Sequence, residues 1–375
     1  MSNEKTLHII CHDVPWPADY GGVVDPFYKI KTLSELGIKV HLHCFLYART
    51  QEAELNRYCE EVHYYKRKTG WKGISFSTPY IVNSRAVPAL LENLLKDDHP
   101  VLMEGIHCTA FVKHLMKHGK RVFLRLLNVE SVYYRQLYKY ERNIFKKTYY
   151  LNESVALKKY EKRLPQGLPV FTLSQADAAC YQKIFGLKSA RFLPAFIPYH
   201  DISGMEGKGN YDLYHGNLSV AENEKAAIWL IKNVFSKISQ PLVIAGKNPS
   251  RILADIVSKS SNISLVANPT DDEMNNLIRN AHINVLPSFN NTGIKLKLIN
   301  ALYNGRHCVV NPAGVSGSDL DAACHVGTNA DAIASIITQL SYQPFAEEEI
   351  ALRKKLLPAI FDNKANAEKL IQWIW

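Results

Sequence analysis

Short apolar runs alternate with amphipathic stretches along the chain, and this pattern predicts strands separated by helices. The first strand is followed by a loop and an amphipathic helix that ends near Leu36, with Gly37 at the position of a helix C-cap. Strands that are separated by helices favour a mainly parallel sheet. The strands predicted in the first half of the chain are Leu7–Cys11, Val40–Phe45, Pro100–Glu104, Arg121–Arg125 and Pro169–Leu173.

A glycine-rich segment interrupts this pattern. It reads SGMEGKGN over residues 203–210, and we predict a linker around Pro198–Asn210. The alternation of strands and helices then restarts. The strands predicted after the linker are Asp212–His215, Pro241–Ala245, Asn262–Val266, Ile283–Pro287 and His307–Val310.

A chain of 375 residues is longer than one ordinary hydrophobic core supports, so we predict two domains. The predicted N-terminal domain covers residues 1–200, and the predicted C-terminal domain covers residues 201–355. A C-terminal helix over residues 356–375 is expected to pack back toward the N-terminal domain. The predicted fold class is α/β, with two Rossmann-like, doubly wound parallel-sheet domains. They are expected to face each other across a ligand-binding cleft at the carboxyl ends of their strands.

Composition excludes several classes of protein. The apolar fraction of 47% and the charged fraction of 21% are typical of a globular protein, and no run approaches the length of a membrane span. The N-terminus lacks the apolar region of a secretory signal. The seven cysteines are scattered and never form a C-x-x-C pair, which argues against a disulfide framework and against a zinc site. We therefore expect a cytoplasmic protein with no metal and no other cofactor.

The net charge of +10 is unevenly distributed. Up to Arg191 there are 29 Lys and Arg against 18 Asp and Glu, a difference of +11, and the remainder has 16 against 17. The N-terminal half should therefore face an anionic partner such as a membrane surface, a phosphorylated lipid, an acidic polymer or nucleic acid. The stretch Tyr133–Arg163 is dense in aromatic and basic residues, which suits either a membrane interface or a long surface helix. None of the sequence signatures of RNA- or DNA-binding modules is present.

The segment TGIKLKLINALYNG, residues 292–305, carries the most specific chemistry. It connects two predicted strands, so we predict a helix that opens at the Thr-Gly pair with Lys295 and Lys297 in its first turn. A helix N-terminus offers free backbone N–H groups and the positive end of the helix dipole. Lysines at that position do not stabilise the helix, but they suit a bound anion such as a phosphate. The alternative is an ordinary crossover helix with solvated lysines.

The order of these motifs resembles the family-4-like glycosyltransferases of GT-B fold, the glycosyl transferases group 1. The motifs are a Gly-Gly loop near the N-terminus, Gly-Asn and Ala-Gly-Lys after the first two strands of the second half, and the Gly-Ile-Lys-Leu-Lys segment. The resemblance spans nearly the whole chain. It implies transfer of a sugar from a nucleotide-sugar donor to a glycan or glycolipid acceptor, with retention at the anomeric carbon and without an obligatory metal. A dinucleotide dehydrogenase is disfavoured because no G-x-G-x-x-G follows a strand.

The resemblance also implies a donor-binding site. Asn217 stands where many relatives carry an arginine, and Asn300 stands where most carry the second of two glutamates that hold the ribose. The first glutamate is also missing, with Asn290 and Asn291 in its neighbourhood, although an amide still hydrogen-bonds a diol. Lys247 is either a diphosphate ligand or a solvated loop lysine. The donor-binding residues implied are Gly21, Gly22, Gly216, Asn217, Lys247, Thr292, Gly293, Ile294, Lys295, Lys297 and Asn300.

His107 and Glu130 are the candidate catalytic residues. His107 follows a predicted strand, where it acts as an acid, a base or an acceptor-positioning group, or serves as a structural histidine. Glu130 lies in a run similar to the His-Asn-Val-Glu-Ser run of relatives, with leucine at the histidine position. It either binds acceptor hydroxyls or caps the helix that begins near Ser131. Arg125 is expected to pair with Glu130 or Glu104.

The sequence therefore predicts a glycosyltransferase of surface polysaccharide or glycolipid synthesis, in the cytoplasm or peripheral at the inner membrane face. Its partners would be a nucleotide-sugar donor, a glycan or glycolipid acceptor and an anionic membrane surface. The missing glutamates motivate a second hypothesis, a catalytically weakened GT-B protein that binds a glycan or a protein partner. Charge alone motivates a third, a basic nucleic-acid-binding protein.

Overall fold

The computed structural model describes residues 4–47, 49–141 and 143–375, which fold into two compact units. The first unit contains residues up to Tyr138, Asn143–Pro198 and Phe361–Trp375, and the second contains Tyr199–Ile360 with a short segment that begins at Lys139. The main divisions thus fall at 198/199 and 360/361, where the sequence predicts 200/201 and 355/356. Residues 1–3 of the N-terminus and Arg142 of the basic aromatic stretch lie outside the described residues.

The first unit is built on a seven-stranded parallel sheet with the order β3-β2-β1-β4-β5-β6-β7. Its strands are β1 (Thr6–Cys11), β2 (Lys39–Leu46), β3 (Glu61–Lys66), β4 (Val101–Glu104), β5 (Val122–Leu126), β6 (Val170–Thr172) and β7 (Ala190–Phe192). Its helices are α1 (Gly21–Glu35), α2 (Tyr80–Asn83), α3 (Pro88–Leu94), α4 (Val112–Lys117), α5 (Glu130–Tyr140), α6 (Ile144–Glu161) and α7 (Gln175–Lys183).

The sheet of the first unit is buried on both faces, because the helices that connect parallel strands cover it from each side. Alternate residues of β1 show this directly. Leu7 and Ile9 belong to one hydrophobic cluster with Phe27 and Ile30 of α1, whereas Ile10 belongs to a second cluster on the other face. Apolar strand runs of this kind are what made β1 predictable from the sequence.

The second unit is built on a six-stranded parallel sheet with the order β10-β9-β8-β11-β12-β13. Its strands are β8 (Asp212–His215), β9 (Leu242–Gly246), β10 (Ile263–Ala267), β11 (Ile283–Val285), β12 (His307–Val310) and β13 (His325–Val326). Its helices are α8 (Ala221–Leu230), α9 (Arg251–Val257), α10 (Asp271–Asn280), α11 (Leu296–Asn304), α12 (Pro312–Val315), α13 (Ala330–Leu340) and α14 (Glu347–Phe361).

The C-terminal segment differs from the prediction. The single helix predicted over residues 356–375 is the end of α14 followed by a separate helix, α15 (Asn363–Ile374). Asp362 separates them because its side chain accepts a hydrogen bond from the backbone N–H of Ala365 and caps the new helix. In the first unit, Leu370 and Ile374 of α15 join the same hydrophobic cluster as Ile30 of α1.

In both sheets the strand order reverses beside the first strand of the unit. The reversal lies between β1 and β4 in the first unit and between β8 and β11 in the second. Doubly wound sheets bind ligands at such switch points, outside the carboxyl ends of the strands. Among the described residues, no helix combines the length and the apolar content that a membrane span needs.

Candidate functional site

At the switch point of the first unit, two histidine rings stack on each other. His12 directly follows β1, and His107 lies in a single helical turn, Ile106–Cys108, that follows β4. Their ring centroids are 5.0 Å apart, with 26° between the planes. The structure thus places His107 at the carboxyl edge of the sheet, as the sequence predicts, and adds His12 as its partner. His12 was missed, although its position directly after a buried strand is the same signal that marked His107.

Both imidazoles are held in the neutral form. Burial, together with the nearby guanidinium groups of Arg85 and Arg67, lowers the pKa of His12 to about 3. Burial, the neighbouring His12 and the same two arginines hold the pKa of His107 well below its usual range. The two Nδ1 atoms are therefore buried without a hydrogen-bond partner among the described residues, which is uncommon for buried polar atoms.

Two arginines give this edge a positive potential. The Arg85 side chain is buried and donates to the carbonyl oxygens of His12, at 3.1 and 2.9 Å, and of Ile81, at 2.7 Å. Burial lowers its pKa to about 10, because its hydrogen-bond partners carry no full negative charge. The Arg67 guanidinium lies 4.4 Å from the centroid of the Tyr47 ring, and its buried Nε has no partner among the described residues. Buried cations of this kind suit an anionic ligand group.

Gly21 and Gly22 begin α1 beside this edge. A Cβ atom on Gly22 would lie 2.7 Å from Cε2 of Tyr20 and 3.2 Å from Nε2 of His12. Packing against these two rings is therefore sufficient to explain the glycine. The phosphate contact implied for Gly21 and Gly22 stays a prediction.

Glu130 is the first residue of α5, and only 3% of it is exposed. Burial, with smaller contributions from the Glu161 and Asp177 carboxylates, raises its pKa to about 8, although Asn128 donates a hydrogen bond to it at 3.4 Å. The group is therefore protonated at neutral pH. This burial favours a structural role at the helix start, and the acceptor-binding role of Glu130 stays a prediction.

The predicted pairing of Arg125 with Glu130 or Glu104 is wrong. Arg125 lies on β5 and binds Asp25 of α1, with Nη2 to Oδ1 at 3.0 Å and Nε to Oδ2 at 3.3 Å. Lys29, one turn later on α1, joins Asp25 at 2.9 Å and Glu104 at 2.7 Å. The sequence did not reveal this network because α1 reaches β5 only through the folded packing of the unit.

At the switch point of the second unit, the hydrogen-bond partners of Lys297 among the described residues are neutral groups. Its Nζ lies 3.2 Å from Oδ1 of Asn223 and 3.4 Å from the hydroxyl of Tyr214, and 4.9 Å from the centroid of the Tyr214 ring. Burial lowers its pKa to about 8, an effect that Glu222 opposes and Lys295 reinforces. A cation in this state gains stability when an anion binds.

His215, the last residue of β8, lies beside this lysine. Burial and the Lys297 charge lower its pKa to about 3, and its Nε2 has no partner among the described residues. Sequence reasoning missed His215. The signal was available, because a histidine ends the predicted strand Asp212–His215 directly before the predicted Gly216.

The helix that carries Lys297 starts later than predicted. The expected opening at Thr292-Gly293 is wrong, since α11 begins at Leu296 and Lys295 is its N-cap residue. The Lys295 Nζ donates to the Thr292 carbonyl at 2.6 Å. Gly293 has a φ of +62°, a left-handed conformation that other residues rarely adopt. The loop therefore turns at Gly293 and brings both lysines to the carboxyl edge of the sheet.

Asn290 stabilises this loop by hydrogen bonds, in the region where the resemblance implies a glutamate. The buried Oδ1 of Asn290 accepts from the backbone N–H of Thr292 at 2.9 Å and from its hydroxyl at 2.8 Å. The hydroxyl of Ser288 donates to Glu222 of α8 at 2.9 Å. Thr292 is thus held within the loop, and Ile294 is half-buried between it and α11.

The carboxyl ends of strands β8 and β9 are in close contact. The Gly216 N–H donates to the Ala245 carbonyl at 3.1 Å, and a Cβ atom on Gly246 would lie 1.9 Å from the Gly216 carbonyl oxygen. Only glycine fits at Gly246. Asn217 accepts from the Ser219 N–H and hydroxyl, which shapes the turn before α8, and Lys247 is exposed at the end of β9. A diphosphate contact from Lys247 stays a prediction.

Residues 210–342 match the sequence model of the family described as glycosyl transferases group 1. This match lies within the second unit, which we call the group 1 domain after the family that it resembles. Over 333 residues the chain is 26% identical to an uncharacterized 44.6 kDa protein in the cps region of Klebsiella pneumoniae, which covers 83% of this chain and 84% of that protein. The resemblance inferred from the motifs is confirmed.

Solved structures of similar fold cover the whole chain. Sucrose-phosphate synthase from Thermosynechococcus elongatus superposes with a TM-score of 0.71 at 13% identity, over 98% of each chain. A glycosyltransferase from Rickettsia africae gives 0.65 at 13% identity, over 99% of this chain and 98% of that one. Anabaena HepE, in complex with UDP and glucose, gives 0.64 at 11% identity over 99% of each chain. The predicted fold class, two Rossmann-like parallel-sheet domains of GT-B type, is confirmed.

Within the group 1 domain, Asn300 is already engaged. Its Oδ1 accepts from Nδ2 of Asn304, one turn later on α11, at 2.7 Å, and Oδ1 of Asn304 accepts from the Ser203 hydroxyl at 2.7 Å. One lone pair of the Asn300 side-chain oxygen is therefore occupied within the helix. Its ribose-binding role stays a prediction.

Metal-ligating residues come together away from the group 1 site. Among the described residues, two groups of three have ligand atoms within 4.8 Å of one another: His8, His41 and Asp97, and His307, His325 and Glu349. None of these residues belongs to the switch-point sites. These two groups therefore do not test whether sugar transfer needs a metal, and its metal independence stays a prediction.

Proposed function

We propose that the protein is a glycosyltransferase that moves a sugar from a nucleotide-sugar to a glycan or glycolipid acceptor in surface polysaccharide synthesis. The observation that carries this proposal is Lys297 of the group 1 domain, a cation with neutral hydrogen-bond partners at the switch point of its sheet. The similarity to a protein in a cps region supports the polysaccharide assignment, and the UDP complex of HepE supports a nucleotide-sugar donor.

The donor diphosphate would bind at the N-terminus of α11. Lys297 would regain its full charge on contact with the anion, and Lys295 and the helix N-terminus would add to the stabilisation of the leaving group. Because cationic side chains supply this charge, the proposed reaction needs no divalent metal. In a retaining reaction, the leaving phosphate oxygen takes the proton of the acceptor hydroxyl, so no strong protein base is required.

The acceptor would bind at the switch point of the first unit. Neutral His12 and His107 provide hydrogen bonds for sugar hydroxyls, while Arg85 and Arg67 provide charge for a phosphate group. A lipid-linked sugar phosphate combines both features. This geometry therefore favours a phosphorylated glycolipid over a neutral glycan as the acceptor.

Individually exposed aromatic residues in the first unit suit such an acceptor. Trp71, Phe76 and Phe145 are large hydrophobic residues with at least four-fifths of their surface exposed, and Lys72 and Lys146 lie next to two of them in the chain. Exposed aromatic residues with lysines favour peripheral binding to an anionic membrane. Liposomes with anionic lipid should bind the protein at low salt and release it at high salt, whereas equal binding to neutral liposomes would contradict this part of the proposal.

The decisive experiment is a panel of nucleotide-sugars tested for binding and for transfer. We expect one nucleoside diphosphate to raise the melting temperature and its sugar conjugate to be consumed when a phosphorylated glycolipid is added. Binding without turnover, with every acceptor tested, would favour the weakened GT-B binding module. Salt-dependent binding of arbitrary oligonucleotides, without any nucleotide-sugar binding, would favour the nucleic-acid hypothesis.

A further inference from the structure

Two histidines lie together at the amino edge of the second sheet, opposite the edge that carries Lys297. His307 is the first residue of β12 and His325 is the first residue of β13. Val309 pairs with His325 in the parallel register, and alternate strand residues share a face, so both histidines project from the same face. Their ring centroids are 5.5 Å apart.

Glu349 directs its carboxylate at both rings. It lies in the first turn of α14, and its Oε1 is 3.1 Å from Nδ1 of His307 and 3.6 Å from Nε2 of His325. The other oxygen, Oε2, accepts from the Ala346 N–H at 3.4 Å, which orients the carboxylate. Three separate elements, β12, β13 and α14, thus present one ligand-type atom each to a common point.

The contacts of His307 suit a metal ligand. Its Nε2 lies 3.3 Å from the carbonyl oxygen of Gln343, which accepts a hydrogen bond when Nε2 carries the proton. In that tautomer the Nδ1 lone pair faces the Glu349 oxygen at 3.1 Å, so a metal ion between the two atoms is bound by both. A bond from the second ring nitrogen to a backbone carbonyl is the arrangement that metal-bound histidines adopt.

We propose that His307, His325 and Glu349 bind a divalent transition-metal ion of the Zn²⁺ type. Tetrahedral Zn²⁺ with N and O ligands places its ligand atoms roughly 3.4 Å apart, and the observed 3.1 and 3.6 Å bracket that value. Two imidazoles and one carboxylate suit Zn²⁺, Co²⁺ or Ni²⁺ and not Mg²⁺ or Ca²⁺, which prefer oxygen ligands. The side chains of His325 and Glu349 are 37% and 32% exposed, which leaves a fourth position for water.

The site joins the end of the sheet to the last helix of the second unit. Strand β13 has two residues and lies at the edge of the sheet, so its own hydrogen bonds hold it weakly. A metal bound by His325, His307 and Glu349 fastens this strand to β12 and α14. The site therefore stabilises the fold and takes no part in sugar transfer.

The other group, His8, His41 and Asp97 in the first unit, provides a matched comparison. There the Lys120 ammonium lies 3.0 Å from Oδ1 of Asp97, and Nδ1 of His8 lies 2.9 Å from Nε2 of His43. A lysine that already neutralises the carboxylate repels a metal ion. The carboxylate of the first-unit group is thus hydrogen-bonded to a lysine, whereas no Lys or Arg among the described residues is hydrogen-bonded to Glu349. Arg353, which interacts electrostatically with Glu349, donates its hydrogen bonds to backbone carbonyls instead.

The test uses the tag-free, metal-stripped full chain. Titration calorimetry with Zn²⁺ should give about one ion per chain, Co²⁺ should give the visible absorption of a tetrahedral site, and Zn²⁺ should raise the melting temperature. In His325→Ala and Glu349→Gln, both partly exposed positions, we expect Zn²⁺ affinity to fall roughly 100-fold or more. In the control His41→Ala, Zn²⁺ binding should equal that of the wild type.

Three results would overturn the proposal. They are the absence of Zn²⁺ binding to the wild type at micromolar concentration, wild-type binding in both ligand variants, and loss of binding in His41→Ala. Nucleoside diphosphate affinity, measured on the same samples, shows that each variant is folded. It also separates the metal site from the proposed transferase function, because either one can fail while the other holds.

Discussion

Replacing Lys297 with methionine separates the charge of the donor site from its packing. Methionine keeps most of the length of the side chain and removes the ammonium group. If that group binds the donor diphosphate, the variant loses a charge-assisted hydrogen bond worth about 1.5–3 kcal/mol. The dissociation constant of the preferred nucleoside diphosphate should then rise roughly 10- to 150-fold.

Stability should change in the opposite direction. The pKa of Lys297 falls from 10.5 to about 8 on folding, so the folded state disfavours the charged form. The resulting destabilisation is complete below pH 8 and fades as pH rises toward 10.5, and its upper limit is roughly 3 kcal/mol. Loss of the contacts with Tyr214 and Asn223 offsets about 1 kcal/mol of this. The variant should therefore gain about 1–2 kcal/mol in free energy of unfolding at pH 7.

Calorimetric titration and urea denaturation at pH 7 and pH 9 measure both effects. Wild-type affinity should fall between these pH values as free Lys297 loses its proton, and the variant should lack this dependence. Lys259→Met is the matched control, because Lys259 is exposed and precedes β10 at the amino edge of the same sheet. Wild-type affinity in Lys297→Met, or a loss of more than about 2 kcal/mol in its unfolding free energy at pH 7, would refute the reasoning.

Three further predictions concern other site residues. His107→Gln should lower the transfer rate roughly 100-fold with nucleotide affinity unchanged, and the same change at exposed His114 should have no effect on the rate. Glu130 has a folded pKa of about 8 against 4.5 unfolded, so the stability it contributes is complete below pH 4.5 and is lost as pH rises through 8. Glu130→Gln should therefore be more resistant to urea than the wild type at pH 8 and not at pH 4. Asn300→Ala should weaken donor binding by about 1–2 kcal/mol while the melting temperature holds or rises, and unchanged affinity would remove Asn300 from the site.

The strands that support the sites were predictable because buried parallel strands are rich in apolar residues. Strands β8 and β12 have the predicted bounds, β1 differs by one residue at one end, and β9 is shifted by one residue at both ends. The strands that were missed lack this signal. Strand β3 at the sheet edge mixes charged residues with tyrosines, β7 has three residues, and β13 has two.

The start of α11 could not be read from residue types. The sequence predicts the helix start at the Thr292-Gly293 pair, and threonine is a residue type that often caps a helix. In the structure its hydroxyl donates to Asn290, and the N-cap residue is Lys295, whose side chain makes no capping hydrogen bond. Competition between a loop and a helix for one hydroxyl group is decided by the surrounding structure, so the sequence alone left it open.

Contacts between residues that depend on which strands are neighbours could not be predicted from the sequence either. His12 and His107 stack because β1 lies beside β4, and Arg125 binds Asp25 because β5 lies near α1. The His307 and His325 pair depends in the same way on β12 lying beside β13. The sequence argued against a zinc site because its cysteines are scattered and never form a C-x-x-C pair, yet adjacent parallel strands bring distant histidines together.

One rule would have found the two histidines that sequence reasoning missed. In a doubly wound sheet the first strand of each unit lies at the switch point, so its carboxyl end opens onto the ligand site. His12 follows β1 and His215 ends β8, and burial lowers the pKa of each to about 3. An isolated histidine after an apolar run is no motif by itself. Its position after the first strand of a unit is what makes it a site candidate, and that position can be read from the sequence once the domain boundary is known.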